Sequence, residues 1–388
     1  MPGTTTFDLD AITHKVQHTL AAQTAADPTI SHDPEAIARL VRAEAGGILS
    51  DGDVLAVLRK LRHDSVGVGQ LEQVMAIQNV TDILVNGAGT VWYDRGNGLE
   101  QSVVRFDSEQ QVRQLATRLI TAAGSRIDEA QCFANGYLLR PDGTTVRVHA
   151  ILSPPAQAGT CISLRVLRHA DARLETLIAK RGINSETAAN LSQLVSARRS
   201  FIVVGGTGSG KTTMLTALLG EVAAKERIIC IEDTAELRPQ HPHVLNLISR
   251  GANTEGNGAV TMADLLRQAL RMRPDRIVVG EIRGVEVIDL LAALNTGHDG
   301  CAGTIHANSI TEVPARLEAL AAQGGMSRDA LMSQLAAASP VILAMKRFAD
   351  GRRRLNQIGV LKGFPTTVDI LWDASESSAP HIDWGRCR

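Results

Sequence analysis

The chain of 388 residues is long enough for two domains, each with its own core. Hydrophobic residues at 44% and charged residues at 21% describe a soluble globular protein. With 40 basic against 41 acidic side chains the net charge is -1, so no global field draws the chain onto nucleic acid or an anionic membrane.

The five cysteines, Cys132, Cys161, Cys230, Cys301 and Cys387, are scattered and odd in number, with no CxxC. That spacing argues against a disulfide framework and a four-cysteine zinc site, and makes a reducing cytoplasm the simplest compartment. The opening residues lack the apolar core of a signal peptide. No run approaches the ~18 apolar residues of a spanning helix. Work at a membrane is therefore expected from its side.

Residues 1–62 read as a helical extension: Phe7, Ile12, Val16 and Leu20 fall near helical spacing, and "DPEAIARLVRAEAGGI" and "DGDVLAVLRKLRHD" repeat the pattern. A small α/β domain is expected over 65–168. There "VTDILVNGAGTVWYDRGNGL" predicts two strands around an Asn-Gly-type turn, "SEQQVRQLATRLITAAG" a helix, "YLLRPDGTTVRVHAIL" a strand pair around Asp-Gly, and "GTCISLRVLR" a further strand. Residues 169–185 are charged and predict a linker. From 186 to 363, helical stretches alternate with "SFIVVGG", "RIICIED", "DRIVVGE" and "AGTIHAN", which predicts a parallel sheet buried on both faces. Residues 364–388 show weak periodicity and are expected to be partly disordered.

The chemistry starts at "FIVVGGTGSGKTTMLTALLG", where Gly205, four residues and Gly210-Lys211-Thr212 stand between a β-branched run and a helix. That context marks a phosphate loop. Backbone amides of Gly205, Gly206, Thr207, Gly208, Ser209, Gly210 and Thr213 can surround phosphate oxygens. The helix start adds positive potential, Lys211 adds a point charge, and the Thr212 hydroxyl can ligate magnesium. Binding is not hydrolysis, and the acidic residues must decide between an enzyme and a nucleotide switch. One apolar run ends in Glu232 and Asp233, with Glu236 close behind, and another ends in Glu281. Carboxylates at such strand ends project toward the phosphates, where one can hold magnesium and another polarise water. His298 and His306 flank the next predicted strand, at its opposite ends. His306 is expected near the γ-phosphate, while His298 has a weaker case and two such histidines make a poor zinc site.

The ordered set "GGTGSGKTT", "IEDTAEL", "RPDRIVVGEIRG" and "NTGHDG…TIHAN" resembles the secretion ATPase superfamily of type II and type IV secretion, type IV pili and conjugation. The likeness runs from about residue 65 to 362. Within it, "NTGHDG" and "ALRMRPDRIVVGEIRG" look most like the Tad/Flp pilus-assembly branch, with conjugation ATPases close behind. Cys301-Ala302-Gly303 stands where that family is expected to carry Ser and Thr. The resemblance implies a RecA-like P-loop ATPase domain preceded by a small PAS-like α/β domain, with ATP and Mg2+ as ligands. It implies Lys211 and Thr212 on phosphates and metal, Glu236 as general base, Glu281 supporting magnesium or the water network, and His306 as γ-phosphate sensor with His298 in support. Arginines of the amino-terminal domain would close over the phosphates, with Arg147 and Arg165 matching best and Arg126 less well. Arg283 could act from a neighbouring subunit or simply hold its loop.

The implied machine is a homo-hexamer at the inner face of the cell membrane, cytoplasmic and peripheral, pushing on polytopic inner-membrane platform proteins of a pilus or secretion apparatus. Two alternatives stay open: a conjugation-type motor, and an assembly switch with negligible turnover. Direct nucleic-acid binding is not expected, because aromatics are 3% of the chain and no basic stripe is evident.

Overall fold

The computed structural model describes residues 15, 16, 19, 34–45, 50, 52–55, 57, 58, 67–96, 98–167, 172–251, 257–377 and 379–384. Two compact units divide between Leu167 and Arg168. Most of the predicted amino-terminal extension lies outside the described residues. Within it, α1 (Pro34–Glu44) forms, and Val16, Val41, Val54 and Val57 gather into a small apolar cluster.

The first unit is an antiparallel sheet ordered β3-β2-β1-β6-β5-β4, from β1 (Asp82–Asn86), β2 (Val91–Asp94), β3 (Leu99–Gln101), β4 (Phe133–Leu139), β5 (Thr145–Ile151) and β6 (Cys161–Leu167). Strict alternation puts Val146, Val148 and Ala150 of β5 on one face, level with Ile162 and Leu164 of β6. Helix α2 (Glu109–Ala122) covers that face with Val112, Leu115, Ala116, Leu119 and Ile120, the spacing of one helical side. Ser108 caps the helix by accepting the Gln111 amide. Gly136 is required on β4, because a Cβ there would lie 2.3 Å from that of Ala123.

Among its described residues the second unit holds eight strands ordered β14-β13-β12-β7-β11-β10-β8-β9: β7 (Phe201–Gly205), β8 (Ile228–Glu232), β9 (Val244–Ile248), β10 (Arg276–Ile282), β11 (Ala302–His306), β12 (Val341–Arg347), β13 (Arg353–Lys362) and β14 (Thr367–Asp373). The six from β12 to β9 run parallel. All five residues of β7 and of β8 are buried, as a sheet covered on both faces demands. One cover is α3 (Leu174–Ala179), α4 (Ser185–Ser196) and α5 (Lys211–Gly220). The other is α6 (Met262–Ala269), α7 (Glu286–Asn295), α8 (Val313–Gln323) and α9 (Arg328–Ala338).

Three expectations need correction. The sheet is not wholly parallel, since β13 and β14 add an antiparallel edge. The predicted linker is mostly part of the second unit: Ala172, Leu174, Leu177 and Ile183 are buried in its core while the charged neighbours face outward, and only 169–171 of the stretch lie outside the described residues. The predicted tail carries β14 and then straps α4. Trp384 is 4% exposed, its indole N–H donates to the Asn190 carbonyl at 2.9 Å, and the Asn190 amide donates to the Ile382 carbonyl at 3.1 Å. Residues 385–388 lie outside the described residues.

Candidate functional site

The phosphate loop joins the carboxyl end of β7 to α5. Gly210 sits at φ +96, a conformation that favours glycine, and Gly205 is held so closely that a Cβ would lie 2.4 Å from the Met345 carbonyl oxygen. Helix α5 starts without a side-chain cap and without an acidic residue in its first turn, so its first amides and their positive potential face the loop. Lys211 Nζ donates to the carbonyls of Gly205 and Gly206, both at 3.0 Å. Burial lowers the Lys211 pKa. Glu281 pulls it back up, Arg283 lowers it, and Glu236 raises it, so these three side chains act on the lysine directly. Ser209 is 3% exposed and its hydroxyl has no partner among the described residues, while Thr207 is exposed. Thr212 and Thr213, half-buried, open α5.

The carboxylates divide into two roles. Glu232, the last residue of β8, turns inward and is 3% exposed. Its Oε1 accepts the amides of Glu236 at 3.1 Å and Leu237 at 2.9 Å, and Oε2 accepts the Asn246 amide of β9 at 3.3 Å. Burial pushes its carboxyl up to about 7 against those hydrogen bonds. Glu232 therefore holds the loop that carries Asp233 and Glu236 and does not itself face the phosphates. Glu236 is exposed at the loop's tip. Glu281 lies where the pairing of β10 with β11 shifts register between Val279 and Ile282, an irregularity that re-aims a side chain. Arg283 fixes this edge by bridging Glu281 at 2.5 Å and Asp233 at 3.2 Å, and Asp233 also accepts the Ser249 hydroxyl at 3.0 Å. In this chain Arg283 thus holds its own loop. The Thr212 hydroxyl with the Glu281 carboxylate is an all-oxygen donor set, which fits magnesium.

The histidines part company. His306 ends β11 and pairs with Gly205, so it stands at the mouth of the phosphate loop. His298 precedes β11, beyond the end where Ala302 pairs with Phe201, and is separated from that mouth by the strand's length of about 13 Å. The structure does not bring His298 to the phosphates of this site: parallel strands keep their carboxyl ends together and put the preceding loop at the opposite edge. The His298 carbonyl instead accepts the Cys301 thiol at 3.0 Å, and burial pushes that thiol up to about 11.

Arg147 and Arg165 sit opposite one another on β5 and β6, on the sheet face away from α2, and Arg165 donates to Asp82 at 2.8 Å. Arg126 is exposed and pairs with Asp128. All three belong to the first unit. Sequence reasoning missed Arg353 at the start of β13. Its side chain runs under Gly210, 3.4 Å from where a Cβ would stand, and "GRRRL" carries no motif that would announce it.

Residues 64–350 match the family model described as "Type II/IV secretion system protein". The chain belongs to that family. A Mycobacterium tuberculosis protein named for conjugal transfer is 55% identical over 317 residues, 81% of this chain and 90% of its own. The conjugal transfer protein TrbB of Rhizobium radiobacter is 30% identical over 301 residues, 76% of this chain and 88% of its own. The structure of the Legionella pneumophila ATPase DotB matches with a TM-score of 0.54 at 20% identity, over 76% of this chain and 79% of that one. The second unit is RecA-like, with the phosphate-loop strand β7 flanked by β12 and β11. No helix among the described residues is long and apolar enough to cross a membrane.

Proposed function

We propose that this secretion-family chain is a motor ATPase that hydrolyses Mg-ATP and delivers the stroke to a membrane-embedded machine. The observation that carries the proposal is the gathering at one sheet edge of Lys211, Glu281, Arg283, the Asp233–Glu236 loop and His306 around a complete phosphate loop. A binding switch needs the loop but not this set. Lys211 and the amides of 205–213 grip the phosphates. Glu236, exposed on a loop pinned by Glu232, takes the proton of the attacking water. His306 reads the γ-phosphate, and magnesium held by Thr212 and Glu281 would neutralise phosphate charge. Arg147 and Arg165 are assigned to closure over the phosphates, with Arg126 secondary, in a hexameric ring whose cycle couples closure to hydrolysis.

The machine we favour is a Tad-type pilus, on the strength of "NTGHDG" and "ALRMRPDRIVVGEIRG". The names of the M. tuberculosis and R. radiobacter relatives support a second reading, a conjugation motor with the same site. Crosslinking in the native cell, followed by purification and mass spectrometry, separates them. Polytopic platform proteins with a prepilin support the pilus. A relaxase, coupling protein or mating-channel subunit supports conjugation, and recovery of neither set refutes the motor role.

A further inference from the structure

Strand β10 changes character just before Glu281. Ile277 and Val279 point into the apolar cluster under α6–α9, while Val278 points into the opposite one. Unbroken alternation would send Glu281 into the same cluster as Val279, where a carboxylate would be stripped of water. The structure inserts one extra residue instead. Val279 pairs with Gly303 and Ile282 with Ile305, so Gly280 and Glu281 together stand opposite Thr304. Ile282, 1% exposed, takes the place in the core, and Glu281 is left at the strand's end with its side chain 31% exposed.

A bulge of this kind disrupts the ladder locally and leaves a backbone group in need of a partner. Here the group is the Gly280 carbonyl, and the Thr304 hydroxyl donates to it at 2.6 Å. Thr304 is buried and is itself anchored, because it pairs with Val203 of β7, two residues before Gly205 opens the phosphate loop. On its other side Gly280 lies against Glu232, whose Cγ would be 2.7 Å from a Cβ there. The bulge is thus clamped between the strand that leads into the phosphate loop and the carboxylate that holds the Glu236 loop. What it aims is consequential: of the charged side chains acting on Lys211, Glu281 acts most strongly.

We propose that Thr304 is a positioning residue for Glu281: its hydroxyl fixes the β10 bulge, and the bulge fixes where the Glu281 carboxylate stands relative to Lys211 and Thr212. The proposal rests on the phosphate-loop reading given above, in which Thr212 and Glu281 hold magnesium, and Thr304 acts through Glu281 alone. A threonine that merely filled its place in β11 would be replaced by valine at little cost to packing. The hydroxyl bond to Gly280 is what valine removes, and it leaves that carbonyl without its donor.

The test measures ATP affinity of the full chain by calorimetry, in EDTA and across a magnesium titration, and follows turnover as kcat and KM. Thr304→Val should raise the half-saturating magnesium concentration about 10-fold or more and lower kcat by a similar factor, with KM and the ATP affinity in EDTA little changed. Thr304→Ser keeps the hydroxyl and should restore most of both. In a Glu281→Ala background the magnesium effect of Thr304→Val should vanish. If Thr304→Val does not fold, Thr304→Cys, close in size and a weaker donor, should move the magnesium requirement the same way. A magnesium requirement unmoved by loss of the hydroxyl, a serine variant as impaired as the valine one, or an effect that persists without Glu281 overturns the proposal. ATP binding in the natural chain that needs Lys211 but not magnesium also overturns it and leaves the phosphate loop standing, whereas ATP binding indifferent to Lys211→Ala overturns both. Absence of turnover in the natural chain refutes the motor reading, and the magnesium titration then still decides the role of Thr304.

Discussion

Replacing Gly280 with alanine probes how the Asp233–Glu236 loop is held. A Cβ at Gly280 would lie 2.7 Å from Glu232 Cγ, 3.2 Å from Oε1 and 3.4 Å from Cδ. Glu232 has no free direction of retreat, because its carboxylate is buried and holds the amides of Glu236 and Leu237 and the side chain of Asn246. Overpacking costs about 1–3 kcal/mol, and each buried amide left without its acceptor costs about 1–3 kcal/mol more. With one of the amides released, a total of roughly 2–6 kcal/mol follows, worth roughly 4–24 °C in Tm for a domain of this size. Displacement of the Glu236 loop by even a fraction of an ångström should lower turnover ~10–100-fold, while phosphate grip through Lys211 persists. Thermal melts, nucleotide titration and phosphate release measure all three. In a Glu232→Ala background the obstructing side chain is gone, and the cost of Gly280→Ala should shrink toward zero. An unchanged cost in that background, or full turnover in the single variant, refutes the account of the loop.

Two further predictions concern the same unit. Burial raises the Glu232 carboxyl from 4.5 to about 7 in the folded protein, so the folded state binds its proton more tightly than the unfolded chain does. That contribution to stability is full below the unfolded value and is lost as pH rises toward 7. Glu232→Gln removes the dependence, and the stability of the variant relative to the natural chain should climb by roughly 3 kcal/mol between pH 4.5 and 7; a difference flat with pH in denaturant titrations would contradict it. Trp384→Ala should destabilise the second unit by about 3–5 kcal/mol, since its indole is buried and bonded to Asn190. A disordered tail would give no change in a melt.

The phosphate loop was legible because its backbone geometry dictates residue types: Gly205 and Gly210 occupy conformations or contacts that a side chain would spoil. Strands β7, β8, β10 and β11 were legible as short apolar runs because both of their faces are covered. Strands β13 and β14 were not, because an antiparallel edge with Arg353, Arg354, Asn356 and Asp369 along it mixes polar and apolar residues. The stretch at 172–185 looked like a linker because its charges are what composition displays, while Leu174, Leu177 and Ile183 anchor it. The inward turn of Glu232 depended on a glycine 48 positions away in sequence, on a neighbouring strand. The opposite placement of the two histidines was readable from strand direction alone, and that is why His298 is the site residue the structure sets apart.

The proposed role of Glu236 is to activate water for hydrolysis at this phosphate loop. It is tested most directly by phosphate release from Mg-ATP, measured with and without reconstituted platform protein, for the natural chain and for Glu236→Gln. Turnover is expected in the natural chain, and in the variant retained ATP affinity with turnover lost. Natural-rate turnover in Glu236→Gln, or no turnover in the natural chain even with its partner, would contradict it, and the latter would make the protein a nucleotide-dependent assembly switch.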